Sequence, residues 1–257
     1  MYLGLILLFL YAPILILVAL SFSSGESRAN WGHFTLDWYR RLFYSAEIMQ
    51  ALRTTVFVAV LATIISTVVG TLAAIGIFGY KRSVRGLILN ITYLPILNPD
   101  IVTGVSLMIL FVFMKMQLGF VTMLLAHVVF CVPYVIFSVL PKLMQMDQSL
   151  YEAALDLGAT PSYALRRVIL PHIMPGVITG GILAFTLSID DFVISFFTTG
   201  SVQNLSILIF SSARMGIDPT LYALMSIMFL TVLSLMLIVN HRIIKMNNSM
   251  KRKEISR

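Results

Sequence analysis

Charge is what this chain has least of. Only 11% of its 257 residues are Asp, Glu, Lys or Arg, where a soluble domain carries about a quarter. That excludes an ordinary soluble fold, because so apolar a chain would expose large adhesive patches to water. Cysteine is nearly absent: Cys131 stands alone, which excludes a disulfide within the chain. The four histidines, His33, His127, His172 and His241, are scattered without metal-ligand spacing, so each reads as a packed or interfacial residue and no metal site is expected. No Gly-rich phosphate loop of the Walker type occurs, so ATP hydrolysis is not expected of this chain. A net charge of +7 would suggest nucleic acid as the partner of a soluble protein. Here its distribution along the chain matters more, and no nucleic-acid partner is expected.

What the chain has is hydrophobicity, 59% of its residues. Stretches long enough to cross a bilayer lie at about residues 2–22, 53–79, 87–114, 120–140, 176–199 and 219–240. The pattern predicts an all-α polytopic membrane protein with six transmembrane helices, a single transmembrane domain over residues 1–257. The first stretch lacks a positively charged start, and Val18-Ala19-Leu20-Ser21 is a poor cleavage site, so it is expected to remain as a span. Lysine and arginine set the orientation. Lys81, Arg82, Arg85, Lys142, Arg166, Arg167 and the tail residues Arg242, Lys245, Lys251, Arg252, Lys253 and Arg257 fall on one side. Arg28, Arg40, Arg41, Arg53, Lys115 and Arg214 fall on the other. The richer side is the cytoplasm, which places both termini there.

Two segments outside the spans carry structure of their own. "WGHFTLDWYRRLF" (31–43) alternates aromatic with charged residues and reads as a short amphipathic helix at the headgroup level. Residues 141–175 form the longest cytoplasmic connection. Within it, Tyr151 to Leu157 favours a helix, Gly158 interrupts it, and Thr160 with Pro161 opens a second one. Glu152 and Asp156 share a face of the first helix. Arg166 and Arg167 are expected near the end of the second, before Pro171 and Pro175 lead into the fifth span.

"SIDDFVISFF" (188–197) sets Asp190 and Asp191 inside an apolar stretch. Each carboxylate at bilayer depth costs about 2.5–3.5 kcal/mol on insertion scales, so it is expected to face a cavity or a partner. On an unbroken helix Ser188, Asp191, Ser195 and Thr198 form one polar stripe, the candidate wall of a pathway. Asp191 is expected to meet a substrate amine in passage, while Asp190, beside the stripe, is expected to line the same cavity or pair with a neighbouring subunit. Asp100, in "LNPDIV", is a third such acid; Asn98 is placed to cap a helix restarted at Pro99, with Asp100 in its first turn. No lysine or arginine lies in a span interior to neutralise the three. A polyvalent cation in passage would do so, with Tyr93, Phe185, Phe192 and Phe196 offering aromatic faces to it.

The cytoplasmic segment resembles a known family. Glu152-Ala153-Ala154, then Gly158, then Ile169-Leu170-Pro171 matches the signature of permease subunits of bacterial ABC importers. The strings "LNPDIVTGVSLMILF" (97–111) and "LSIDDFVISFFTTG" (187–200) look most like C-type permeases of spermidine/putrescine importers. The resemblance implies a type I importer permease fold in a bacterial inner membrane. It implies a coupling helix carrying Glu152, Ala153, Ala154, Asp156, Gly158, Thr160, Pro161, Leu170 and Pro171 that docks on an ATPase. It further implies a heterodimer with a second permease, two ATPase subunits that bind ATP and Mg, and an extracytoplasmic polyamine-binding protein. A proton-coupled secondary transporter would also use intramembrane aspartates, but needs no cytoplasmic helix–turn–helix. An intramembrane aspartyl protease would show Gly-x-Gly-Asp, absent around both acidic sites.

Overall fold

The computed structural model describes residues 2–25, 31–147, 149–215, 218–231 and 233–234, and the named elements among them are all helices. They divide into two compact units, residues 50–208 and residues 1–49 with 209–257.

In the second of these units, α1 (Tyr2–Leu20) leads into a turn that receives α2 (Asp37–Tyr44). Trp38 is buried and its indole Nε1 donates to the Ser23 carbonyl at 2.7 Å. Tyr39 shares a 2.7 Å hydrogen bond with Ser21, and Phe22 stacks on Phe34 with ring centroids 5.6 Å apart. The expected headgroup anchor is therefore in part a packing element. Its inner face is held by the turn after α1, while Trp31, Phe34 and Phe43 remain exposed.

The unit of residues 50–208 takes in most of α3 (Ala46–Phe78), a helix of 33 residues, about 50 Å long. After it come α4 (Arg82–Leu97), α5 (Asp100–Phe113) and α6 (Phe120–Gln145). Next is α7 (Ser149–Asp156), then α8 (Pro161–Ala164), a π-helical turn (Leu165–Ile169) and α9 (Leu170–Asp190). The short α10 (Val193–Thr198) follows, and α11 (Leu205–Met215) begins before the unit ends. Its core gathers Ala74, Phe130, Val135, Val139, Leu143, Ile173, Ala184 and Ile194. Close packing rather than burial from water must hold helices together in lipid, which favours small residues at contacts. A Cβ on Gly176 would lie 2.7 Å from the Ser138 carbonyl oxygen, and one on Gly180 3.1 Å from Val135 Cα. Gly70 of α3 approaches the same Val135. α6 is thus gripped at contacts where a side chain has no room.

Three described helices are long and apolar enough to cross a membrane: Ala46–Phe78, Phe120–Gln145 and Pro161–Asp190. α4 and α5 together make a fourth only as a broken span, bent by 104°. The helix expected to restart at Pro99 within the stretch 87–114 does so, with a sharp bend at the restart. Pro99 has no N–H to continue α4, and it drives Asn98 out of the helical region, to ψ 142°. Asn98 closes α4 instead of capping α5, while Asp100 does occupy the first turn of α5. Among the shorter apolar helices are Gly4–Leu20 and α12 (Pro219–Thr231). The far end of the expected sixth span and the basic tail lie outside the described residues.

Pro171 and Pro175 do not separate the cytoplasmic segment from the fifth span. α8, the π turn and α9 run on as one helix of 30 residues, with Arg166 and Arg167 inside it rather than at an end. The turn widens so that the Leu170 N–H reaches the Leu165 carbonyl. Pro171, next along, has no N–H to give, and a local change of register absorbs that loss.

Candidate functional site

α9 stops at Asp190 without a glycine or proline to stop it. Asp191 turns extended, with ψ 124°, and its carboxylate reaches forward. Oδ1 accepts the Ile194 N–H at 3.2 Å and Oδ2 the Ser195 N–H at 2.8 Å, two of the amides that open α10. A carboxylate at a helix N-terminus also meets the favourable end of the dipole. The polar stripe is thus broken in the middle, and its members turn toward α6. His127, on α6, shares hydrogen bonds with Ser188 through Nδ1 at 2.7 Å and with Ser195 through Nε2 at 2.8 Å. Its Nε2 also lies 3.5 Å from Asp191 Oδ2, and the two side chains are only 2% and 5% exposed. Thr198 is buried, donating to the Ile194 carbonyl. Its own carbonyl accepts the Thr122 hydroxyl at 2.7 Å.

Asp190 and Asp100 differ from Asp191 in kind. Both are exposed, and among the described residues the one ion pair involves neither. α5 packs on α10 at Gly104, where a Cβ would meet Ile194 Cα and the Val193 carbonyl at 3.4 Å. Asp100 is one helical turn before Gly104 on the same face, about 6 Å along the axis. α6 passes both acids: Tyr134 is in electrostatic range of Asp100, and Cys131, nearly a turn away, in range of Asp191. Tyr93 is exposed and meets Phe137 edge-on at 5.3 Å, while Phe192 and Phe196 have ring centroids 5.5 Å apart.

At the other end of the 30-residue helix, α7 is closed by Gly158 with φ +85°. The Gly158 N–H bonds the Leu155 carbonyl at 2.8 Å, and the Ala159 N–H bonds the Ala154 carbonyl at 3.0 Å. This paired closure needs a left-handed residue, which glycine supplies. Thr160 then caps α8 by accepting the Tyr163 N–H, with Pro161 at the first position. Before α7, Asp147 accepts the Ser149 N–H at 3.0 Å, and its hydrogen bonds to the Ser149 side chain and backbone hold its carboxyl below its ordinary value. Ala154, Leu157, Gly158, Ala159, Thr160 and Tyr163 line a cavity of about 510 Å³. Leu157 is 89% exposed there, and Glu152, Ala153 and Asp156 are exposed alongside. Leu170 and Pro171 lie apart from that cavity, where the π turn passes into α9.

The profile of a protein family described as "Binding-protein-dependent transport system inner membrane component" matches residues 66–245. The chain belongs to this family. The spermidine/putrescine transport system permease protein PotC of Haemophilus influenzae is 40% identical over 242 residues, 94% of this chain and 93% of that one. The putrescine transport system permease protein PotI of Escherichia coli K12 is 40% identical over 225 residues, 84% and 80% of the two chains. Among solved structures, a bacterial ABC transporter involved in the import of alginate superposes with a TM-score of 0.71 at 18% identity. It covers 93% of this chain and 91% of its own. That likeness is one of fold.

As an inner-membrane transport component, the chain moves a solute rather than transforming one. Its aspartates therefore have to be judged as counter-charges. Two of the three present an open carboxylate, and the third is spent on the backbone of α10 and on His127. His127 is the residue the sequence reading passed over. Its only signal was a histidine in a hydrophobic run, which by itself indicates no more than packing.

Proposed function

We propose that this chain is the permease subunit of an ATP-driven importer that carries polyamines of the spermidine and putrescine class into the cytoplasm. The observation that carries the reading is the Asp190 carboxylate, exposed at the end of an apolar helix with no ion-pair partner among the described residues. A carboxylate so placed is stabilised by a passing cation. The substrate class is supported by the names of the relatives just given. In this proposal Asp190 and Asp100 hold amines, and Tyr93 and Phe192 offer ring faces to the charge and to the methylenes between amines. Asp191, with Ser188, Ser195 and Thr198, shapes the pathway from behind. The chain forms one permease domain with six spans and both termini cytoplasmic. It pairs with a second permease, two ATPase subunits that bind ATP and Mg, and an extracytoplasmic binding protein. The Gly158 turn is the coupling element, and its exposed Leu157 and adjoining cavity are what an ATPase surface would cover, with Glu152, Ala153, Ala154, Asp156, Thr160 and Pro161 around them. Leu170 and Pro171 lie within the helix that leads from there to Asp190.

The test is uptake of labelled spermidine and putrescine at matched membrane levels of the protein. Asp190→Asn is expected to lower transport efficiency about ten- to hundredfold, the value of one charge-assisted hydrogen bond. The triamine should lose more than the diamine, and Asp100→Asn should act in the same direction. Wild-type uptake of both amines by both variants would remove the carboxylates from the pathway.

A further inference from the structure

One imidazole ring touches the chain before, at and after the break in the helix. His127 Nδ1 meets Ser188 on α9, Nε2 meets Ser195 on α10, and the same Nε2 lies 3.5 Å from Asp191 between them. In the tautomer with the proton on Nε2, the ring donates toward Ser195 and Asp191 and accepts from the Ser188 hydroxyl. The ring itself is held from both sides along α6. Thr122, five residues earlier, bonds the Thr198 carbonyl at 2.7 Å, and Cys131, four residues later, has its Sγ 3.4 Å from the Ala184 carbonyl. α6 therefore runs as an antiparallel ruler along α9 and α10, with His127 at the break.

The two helices it joins carry different chemistry. α9 ends on the exposed Asp190, and α10 carries Phe196, 50% exposed, beside Phe192. We infer that His127 is the positioning residue that fixes the separation between this acidic half and this aromatic half, and thereby the spacing of amines that the permease accepts. The inference rests on the polyamine reading above. Losing the ring leaves two buried hydroxyls, Ser188 and Ser195, without their partner. The direct link across the break is then gone, while Thr122 and Cys131 still hold α10 at Thr198 and α9 at Ala184 on α6. The carboxylate of Asp190 stays chemically intact in such a variant. What changes is where the aromatic rings stand relative to it.

The measurement uses the full transport complex, with KM and maximal rate determined separately for spermidine and putrescine. His127→Leu should raise KM for spermidine about tenfold, the worth of a lost buried hydrogen bond, and bring the KM values of the two amines together. His127→Gln, which still reaches toward Ser195 and Asp191, should restore most of the difference. If His127→Leu does not assemble, Ser195→Ala gives the same readout, since it frees α10 from the ring and leaves Ser188 bonded. A second arm needs no substrate. Spin labels on cysteines placed at the exposed positions 186 and 196, in a Cys131→Ala background, should give one narrow distance in the parent and a broadened one in His127→Leu or Ser195→Ala. Unchanged KM values, with a maximal rate that falls only as complex is lost, would reduce His127 to a structural residue. An unbroadened distance would overturn the clamp outright. Failure of the parent to carry either amine would instead sink the polyamine reading, and the distance arm would still judge the clamp.

Discussion

Asp190 and Asp191 are neighbours in sequence, and their surroundings give them opposite tasks. Asp191 accepts two backbone amides and adjoins His127, so its charge is answered within the chain. Asp190 is exposed. Asp191→Ala removes both acceptors at the start of α10 and should cost about 0.5–2 kcal/mol, the range for a lost helix cap. It should show as a lower melting temperature of the solubilised complex, while Asp190→Asn melts with the parent. Equal melting of the two variants would contradict the division of labour. That two acids sit in an apolar run was legible from the string "SIDDF", as was the need for something to answer them. The break was legible only in part. Asp191 is itself a residue that caps helices, and its carboxylate serves the Ile194 and Ser195 N–H groups. No local signal shows that His127, more than sixty residues earlier, adjoins it.

At the scale of elements, α6 and α9 pack closely, because Gly176 and Gly180 let their backbones meet. Gly176→Leu has no space to occupy, since even a Cβ there would reach the Ser138 carbonyl and Lys142 at under 3 Å. It should abolish assembly. At Gly86 on α4 an added Cβ meets nothing within 4 Å, and Gly86→Leu should leave the amount of folded complex unchanged. The two variants compared by size-exclusion profile check the packing directly, and similar profiles would contradict it. Proline gave mixed guidance at this scale. Asn98-Pro99 does break a helix, as the chemistry of proline predicts. Pro171 and Pro175 lie within a continuous helix, where the π turn re-routes the backbone hydrogen bonds that proline leaves open. The turn at Gly158 was readable in full, because glycine, threonine and proline each act there through their own backbone chemistry.

For the whole molecule, composition alone identified a helical membrane protein, since scarce charge and long apolar runs have few other outcomes. The number of crossings was less legible. Hydropathy counts apolar length and does not register a bend of 104° inside a run. The central claim is that transport is ATP-driven and that the cargo is a polyamine. The most direct measurement is accumulation of labelled spermidine by proteoliposomes holding this chain, its second permease and the ATPase subunits, with binding protein supplied outside. The account predicts accumulation only when ATP is enclosed, with no loss when the proton gradient is collapsed. Accumulation driven by an imposed pH gradient without ATP would contradict it.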